Sequence, residues 1–563
     1  MRARKLLGLV LSVSMAGCAG SFRSAAGYGT DPRFAPSAYE HYIRGRVAAE
    51  GGNHELAIAE MRMASAVAPN EPEPRIAVIE ELLAAGRVDA AQAEARYAVA
   101  SWPDDGSVWR AFGRVRSAAS DVRGAADAFE HAVALNKDDE DSWLMLGAAY
   151  RQLRQEQRAV EAYRRLVAAK PLSAEGHFRL GRLLQSADST IAMTELKRAI
   201  ELDPGHIDAR VALADLYRRR DQPADAEAAL REALDRSGDD AQVGERLYRI
   251  LLENGDRNGA AELLRRLDAD WRDGRARLRI AELLLQLHKG EEALRIARAV
   301  LGKDESNPAR VIEARALAQL GRRPEAIAAC LSTRPGDDSY ADARALAADL
   351  HGREGAPQEG LALLAEAMVQ RPGDPVLVSA AAALHEQLGA FDQARRLLDA
   401  ALAQSPDDEG LAYARADLED RDAAPELAVA VMQKVLDRDA DSVLALNFIG
   451  YSYAERGVEL DAAERLLRRA STLRPDDGLI LDSFGWLLYR RGQTEQARIA
   501  LERADRLAPF QPEILLHLGE VYLRAGLEQR ARETFRQALG LDPAGKLRAS
   551  LEEKVRTLEA RAP

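Results

Sequence analysis

The stretch that decides the fold of this chain reads Trp143-Leu144-Met145-Leu146-Gly147-Ala148-Ala149-Tyr150 and continues to Ala159, Tyr163 and Pro171. Its aromatic residues and leucines recur at helical spacing, which predicts two amphipathic helices that pack on each other and on neighbouring units. Gly147 and Ala159 are small, which predicts that the two helices come closest at these residues, since a larger side chain would overpack that contact. Pro171 ends the second helix, since proline lacks the backbone N–H that a continuing helix needs.

Ala159 belongs to a series of fifteen small residues that runs through the chain at nearly constant spacing. The steps are 34 residues, with occasional steps of 33 or 35, and the members are Ala57, Ala91, Ala125, Ala159, Ala192, Ala226, Ala260, Ala293, Ala326, Gly360, Ala394, Ala428, Ala463, Ala497 and Ala531. Ten of the fifteen units have an alanine seven residues later, and nine have a proline twelve residues later. A period of this length predicts stacked two-helix units that offer an extended binding surface.

The units resemble tetratricopeptide repeats over roughly residues 38–545. The last copy carries the pattern almost as well as the first one quoted, with Leu518-Gly519, Tyr522, Gly526, Ala531, Phe535, Ala538 and Pro543. The resemblance implies an all-α fold, a tetratricopeptide-repeat superhelical solenoid of about fifteen helix-turn-helix units.

The two ends of the chain differ from the repeats. Residues 1–17 combine a basic start with a short apolar run, which is typical of a secretory signal. Cys18 at the cleavage site makes it similar to a bacterial lipoprotein signal, which implies lipidation of Cys18 and sorting to the outer membrane; an ordinary cleaved signal is the alternative. Residues 18–36 then form a flexible tether, and an apolar stripe in residues 546–563 predicts a C-terminal capping helix.

Repeat quality divides the rest of the chain into three parts. Residues 37–240 and 375–545 are regular, whereas residues 241–374 are degenerate, because three successive units lack the proline. Two interpretations stay open for the degenerate part: drift of the repeat with its helices kept, or a flexure between two rigid arms.

A candidate protein-binding groove lies near the C-terminal end. In tetratricopeptide repeats, positions 2, 5, 6, 9, 12 and 13 of the first helix line the groove. Counting from Val443, Gly478 and Pro512, the resemblance assigns to the groove Asn447, Tyr451, Asp482, Trp486, Tyr489, His517 and Glu520. Rigid aromatics would supply contact area and the polar groups would fix a peptide backbone. The alternative is that Trp486 and Tyr489 only pack on the neighbouring helix.

Composition and motifs argue against several other functions. The net charge of −12 disfavours nucleic acid as a partner. The nine histidines show no metal-binding spacing, and no phosphate loop or nucleophile motif occurs, so we expect no cofactor, no metal and no enzyme activity. Cys330 stands at a second-helix position that other units fill with Phe, Tyr or Leu, which predicts a small core residue rather than a reactive thiol.

The lipoprotein signal, the tether, the long solenoid and the block from Asn447 to Gly492 together resemble LbcA-type outer-membrane lipoproteins. The resemblance implies an adaptor that faces the periplasm and is held to the membrane by its lipid. Its partners would be a carboxyl-terminal processing protease and that protease's substrates, peptidoglycan hydrolases, which the solenoid brings together. The alternative is a scaffold for the assembly or export of envelope polysaccharide or protein.

Overall fold

A computed structural model describes residues 36–302, 307–541 and 545–560 of the chain. Helices and turns make up this part, and no strand occurs within these ranges. The signal of residues 1–17, Cys18 and nearly all of the tether lie outside the described residues.

Thirty-one helices occur in the described ranges, as fifteen consecutive pairs followed by a final helix. They are α1 (Pro36–Glu50), α2 (His54–Val67), α3 (Glu73–Ala84), α4 (Val88–Ser101), α5 (Gly106–Ala118), α6 (Val122–Leu135), α7 (Glu140–Gln152), α8 (Glu156–Ala169), α9 (Ala174–Leu184), α10 (Ser189–Leu202), α11 (Ile207–Arg219), α12 (Pro223–Ser237), α13 (Ala241–Glu253), α14 (Arg257–Asp270), α15 (Gly274–Gln286), α16 (Gly290–Leu301), α17 (Asn307–Gln319), α18 (Arg323–Leu331), α19 (Tyr340–Arg353), α20 (Pro357–Gln370), α21 (Pro375–Gln387), α22 (Phe391–Gln404), α23 (Glu409–Arg421), α24 (Pro425–Arg438), α25 (Val443–Arg456), α26 (Leu460–Leu473), α27 (Gly478–Arg490), α28 (Thr494–Leu507), α29 (Pro512–Arg524), α30 (Glu528–Gly540) and α31 (Gly545–Ala560). Odd-numbered helices up to α29 are the first helices of their pairs, and even-numbered helices are the second.

The fifteen small residues of the repeat take one structural position. Each is the fourth residue of a second helix, as Ala57 is in α2 and Ala531 is in α30. The fourteen alanines among them are fully buried, with 0% exposure. This placement confirms the all-α solenoid and the register in which its units were aligned.

The chain divides into two compact units, Met1–Leu216 and Tyr217–Pro563. In the second unit each first helix from α15 to α27 packs against the next first helix as well as against its own partner. From α15 to α29 the first helices therefore form a continuous layer with a common face. Aspartates at the turns start many first helices: the Asp477 carboxylate, for example, accepts hydrogen bonds from the backbone N–H of Leu479 at 3.0 Å and Ile480 at 3.4 Å.

The degenerate part of the repeat keeps its helices. Eight helices, α13 to α20, cover residues 241–370 with the gap at 303–306, although α18 is short at nine residues. Cys330 in α18 is fully buried, and burial raises the pKa of its thiol to about 12. The division into regular and degenerate parts, and the flexure between them, stay predictions.

The last helix, α31, lies against the final repeat. Leu551 and Leu558 are buried in a cluster that includes Leu518, Tyr522 and Phe535. The apolar stripe of this segment thus covers the side of the last unit, which would otherwise be open to water.

A feature that the repeat did not predict links distant parts of the second unit. α13 packs against α28, and around that contact Arg257 of α14 donates to the Asp505 carboxylate at 2.8 Å, across 248 residues of sequence. Asp476 accepts from Arg218, and Arg503 lies 3.6 Å from both Asp476 and Glu253. We call this set of contacts the clasp.

Two turn residues complete the clasp. His288 and Phe510 have ring centroids 4.7 Å apart, and the Arg257 guanidinium lies 4.9 Å from the Phe510 ring. Both turn residues have left-handed backbone angles, with φ of 56° at His288 and 62° at Phe510. A bulky aromatic residue rarely adopts this conformation, so the contacts of the ring hold Phe510 in a backbone geometry that glycine or asparagine would take more easily.

Candidate functional site

The structure starts α25, α27 and α29 at Val443, Gly478 and Pro512. These are the residues from which the groove positions were counted, so the candidate residues occupy the helical positions assigned to them. All three helices are first helices that pack side by side, α25 on α27 and α27 on α29. The candidate site is therefore built on adjacent rigid elements.

A buried ion pair stands at the centre of the site. The Nδ1 atom of His517 lies 2.9 Å and 3.0 Å from the two carboxylate oxygens of Asp482, and both side chains are buried. Burial alone would lower the pKa of His517, but the Asp482 carboxylate outweighs it and raises that pKa. The pair fixes the orientation of the imidazole ring between α27 and α29.

Trp486 is enclosed by its neighbours. Its ring stacks on His517 with centroids 4.3 Å apart and on Tyr489 with centroids 4.7 Å apart. Its indole N–H donates to the Glu455 carboxylate, and only 7% of the residue is exposed. Trp486 therefore packs within the layer of first helices, as the alternative interpretation described. Its side chain holds the neighbouring rings in place and leaves little of its own surface for a partner.

Tyr451 and Asn447 extend the site along α25. The Tyr451 ring is half-buried, with its centroid 6.0 Å from that of His517. Burial, followed by the negative charge of nearby carboxylates, raises the pKa of Tyr451. The side-chain oxygen of Asn447 is buried and has no hydrogen-bond donor among the described residues, so it is available to a donor from outside the chain.

Tyr489 and Glu520 lie where the last repeat meets the capping helix. The guanidinium of Arg524 lies 3.7 Å from the Tyr489 ring centroid and donates to the Tyr489 carbonyl oxygen at 2.6 Å. Burial raises the pKa of Tyr489. Glu520 forms an ion pair with Lys554 of α31.

Five of the seven candidates thus form one connected cluster, which we call the aromatic face: Tyr451, Asp482, Trp486, Tyr489 and His517. Asn447 and Glu520, assigned to the same groove, form no hydrogen bond with this cluster within the described residues, although the charge of Glu520 acts on Tyr489. The role of all seven in binding stays a prediction.

Three neighbouring residues were missed by the sequence analysis. Tyr413 of α23 and Phe448 of α25 form an edge-to-face pair with centroids 5.6 Å apart, and Glu455 holds the Trp486 indole. Counting the same helical positions from Glu409, one repeat earlier, would have found Tyr413.

A separate cavity lies in the first unit. It has a volume of about 1010 Å³ between α6, α7 and α8, and its lining includes Trp143, Leu146 and Tyr150. The Tyr150 hydroxyl donates to Glu130, and Arg158 stacks on the Tyr150 ring with 4.3 Å to its centroid. These contacts hold the best copy of the repeat together.

Within the described ranges, no group of three or more His, Cys, Asp or Glu side chains is arranged to hold a metal ion. In the same ranges no helix has the length and apolar character needed to span a bilayer.

Comparison with known proteins identifies the repeat. Sequence profiles described as tetratricopeptide repeat match residues 140–183, 183–245, 353–418 and 483–546. A TPR repeat-containing protein of Pseudomonas aeruginosa is 41% identical over 86 residues, which is 15% of this chain and 14% of that protein. The match therefore spans only a small part of that relative.

Solved structures with similar folds are more distant in sequence. A tetratricopeptide repeat protein from Parabacteroides merdae is 18% identical, covers 46% of this chain and all of its own, and has a TM-score of 0.34. YrrB, described as a TPR protein with an unusual peptide-binding site, is 22% identical and covers 32% of this chain and 95% of its own, with a TM-score of 0.28. The Naa15/Naa10 complex bound to HypK is 14% identical, covers 93% of this chain and 98% of its own, and has a TM-score of 0.32.

Proposed function

We propose that this chain, a tetratricopeptide-repeat protein that serves as a protein–protein interaction scaffold, is a membrane-tethered adaptor that faces the periplasm. In this proposal it holds a carboxyl-terminal processing protease next to cell-wall hydrolases, which the protease then cleaves. Holding two proteins on one scaffold replaces a chance encounter in solution with a high local concentration, so no catalytic group of the chain is needed.

The observation that carries the proposal is the aromatic face. Tyr451 and Tyr489 come from two adjacent first helices, are half-buried, and are held in place by the buried Trp486 and the Asp482–His517 pair of α27 and α29. A wall that is already ordered before binding loses little side-chain entropy when a partner docks. The resemblance to LbcA-type lipoproteins supplies the identity of the partners.

The binding face is tested by a pair of matched substitutions. Leu479 of α27 and Ile499 of α28 are both 55% exposed, but they belong to a first and a second helix respectively. We expect Leu479→Ser to reduce capture of the partner by roughly tenfold or more, and Ile499→Ser to leave it unchanged, because binding energy concentrates in a few contacts on one face. The measurement is capture from solubilised envelopes by the full chain, quantified by mass spectrometry.

The capture experiment separates the two functional readings. Recovery of a processing protease together with cell-wall hydrolases supports the adaptor. Recovery of polysaccharide or export components instead would replace it by the assembly scaffold. Equal loss from both variants, or loss from neither, would contradict the first-helix face as the binding surface.

Membrane attachment has its own test. We expect Cys18→Ser to move the chain from the membrane to the soluble fraction, because two or three acyl chains anchor a protein stably and a thiol-free residue cannot receive them. The measurement is fractionation with metabolic labelling by a fatty acid. A variant that stays labelled and membrane-bound would refute lipidation at this residue.

A further inference from the structure

Carboxylates surround the aromatic face. Tyr451 is subject to the negative charge of four of them, from α23, α25, α27 and α29: Asp420, Glu455, Asp482 and Glu513. Asp482 is buried and paired with His517, but Asp420, Glu455 and Glu513 are exposed side chains. Neither Asp420 nor Glu513 forms an ion pair within the described residues, although Arg456 and Arg421 are near enough to Asp420 to act on its charge.

Acidic residues outnumber basic ones on this part of the surface. Positions 2, 5, 6, 9, 12 and 13 of a helix lie on one side of it, because they are related by steps of three or four residues. In α23, α25, α27 and α29 together these positions hold six carboxylates, Glu455 among them, and three arginines. The arginines all stand at position 13, at the ends of the helices: Arg421, Arg490 and Arg524.

Two of these arginines are engaged by other groups. Arg421 pairs with Asp417 at 3.0 Å and with Glu386 at 3.2 Å, and Arg524 lies over the Tyr489 ring. Lys554 of the capping helix is paired with Glu520. The carboxylates Asp420, Glu455 and Glu513 thus outnumber the remaining Arg490, which leaves an excess of negative charge over the aromatic face.

Exposed apolar groups lie on the same helices. Tyr413 of α23, Leu444 of α25 and Leu479 of α27 are more than one third exposed. A surface that combines apolar contacts with carboxylates fits a long cationic side chain, whose alkyl stem packs on the apolar groups while its charged end meets the acids. It fits an acidic or phosphorylated segment poorly, since like charges repel.

We propose that the protein segment docked on the first-helix face of α23 to α29 presents arginine or lysine side chains to Asp420, Glu455 and Glu513. This inference rests on the proposed function, because it assigns the chemistry of the segment that the face would capture. The neighbouring exposed groups Tyr413 and Leu444 hold the stems of those side chains.

The test uses a defined probe and the full chain in detergent. The probe is a fluorescent twelve-residue peptide of alternating leucine and arginine, compared with the same peptide carrying citrulline, which is uncharged but nearly the same shape. Binding is followed by fluorescence anisotropy. We expect the arginine peptide to bind about tenfold more tightly, with an advantage that shrinks as salt is raised.

Matched variants separate a local site from general attraction to an acidic protein. Asp420→Asn with Glu513→Gln removes two charges from the face, and Asp437→Asn with Glu533→Gln removes two exposed charges from the second helices α24 and α30. We expect the first pair to weaken binding of the arginine peptide by about fivefold to tenfold, and the second pair to change it less than twofold.

Each outcome decides one statement. Equal binding of the arginine and citrulline peptides, or equal effects of the two variant pairs, would overturn the cationic segment. If Leu479→Ser still abolishes capture from envelopes in that case, the proposed scaffold face stands and only its charge preference is wrong. If Leu479→Ser has no effect on capture either, the face itself is wrong.

Discussion

The contact between the two helices of a repeat is governed by pairs of complementary size. Glycine in the first helix faces an aromatic ring in some repeats, as Gly147 faces Tyr163, and a leucine in others, as Gly485 faces Leu501. Where the second helix has Leu398, the first has Ala382, and where the first has Ile79, the second has Ala95. In each of these pairs a small residue of one helix meets a larger residue of the other, as expected for a close-packed interior.

This complementarity predicts a rescue. A Cβ atom at residue 147 would overlap the Tyr163 ring, so we expect Gly147→Ala to lower the free energy of unfolding by about 1–3 kcal/mol. Adding Tyr163→Leu should recover a substantial part of the loss, because the pair then resembles Ala382 and Leu398. Thermal denaturation and hydrogen exchange of α7 and α8 measure the effect; a melting temperature unchanged by Gly147→Ala would refute the assigned contact.

The buried Asp482–His517 pair predicts a dependence of stability on pH. Because the pKa of His517 is raised above its ordinary value of 6.5, the folded state favours the protonated ring. The contribution of the ion pair to the free energy of unfolding is complete below pH 6.5 and is lost as the pH rises through the raised pKa of His517. We therefore expect the unfolding free energy contributed by the last repeats to fall as the pH rises above 6.5 and through the raised pKa of His517.

Asp482→Asn tests the cause of that dependence. The substitution keeps the shape but removes the charge, so the pKa of His517 should drop and the fall in stability above pH 6.5 should disappear. Hydrogen exchange of α27 and α29 at several pH values gives the local stability, and NMR titration of His517 gives its pKa. The same pH profile in both proteins would show that another group is responsible.

At the scale of helices, the sequence contained the repeat in full. The alanine series alone placed the fourth residue of every second helix, and Gly478 and Pro512 were correctly taken as starts of first helices. Periodicity succeeds here because each unit contacts mainly its neighbours, so that local spacing determines local packing. The contacts of aromatic residues are less predictable from the repeat. The position of Trp486 in its helix is the same whether its side chain contacts a partner or stacks on His517.

The clasp joins helices that are not neighbours in the repeat, and it should therefore stabilise α28 and the turn that follows it. Arg257→Gln removes the partner of the largely buried Asp505 carboxylate. We expect a loss of about 1–2 kcal/mol in the local stability of α28 and the turn at Phe510, because a buried charge is left unpaired. Hydrogen exchange of residues 503–512 measures it.

The same helix offers a control for the clasp. Arg265 of α14 pairs with Glu292 at 2.8 Å on the exposed surface. Arg265→Gln should leave exchange in residues 503–512 unaltered, because exposed ion pairs contribute little and this one touches no part of α28. Faster exchange in both variants, or in neither, would contradict the clasp as a stabilising contact.

At the scale of the whole chain, the sequence did not predict the contacts between repeats that are far apart in the chain. Arg257 and Asp505 are 248 residues apart, and nothing in a 34-residue period relates them. Phe510 gave no hint either, because its turn position holds residues as different as Leu172, Asp407 and Gly373 in other repeats. The structure is needed to show that Phe510 adopts a left-handed backbone and that the contacts of its ring compensate for the strain.

The clasp also has a consequence for the order in which the second unit folds. Stacked repeats grow by short-range steps, each needing only a small loss of chain freedom. Joining Arg257 to Asp505 instead closes a loop of 248 residues, which is entropically costly until the intervening helices have stacked and brought the two turns together. The clasp should therefore form late in folding and open early in unfolding, which makes the turn at Phe510 the first place where a protease gains access to this unit.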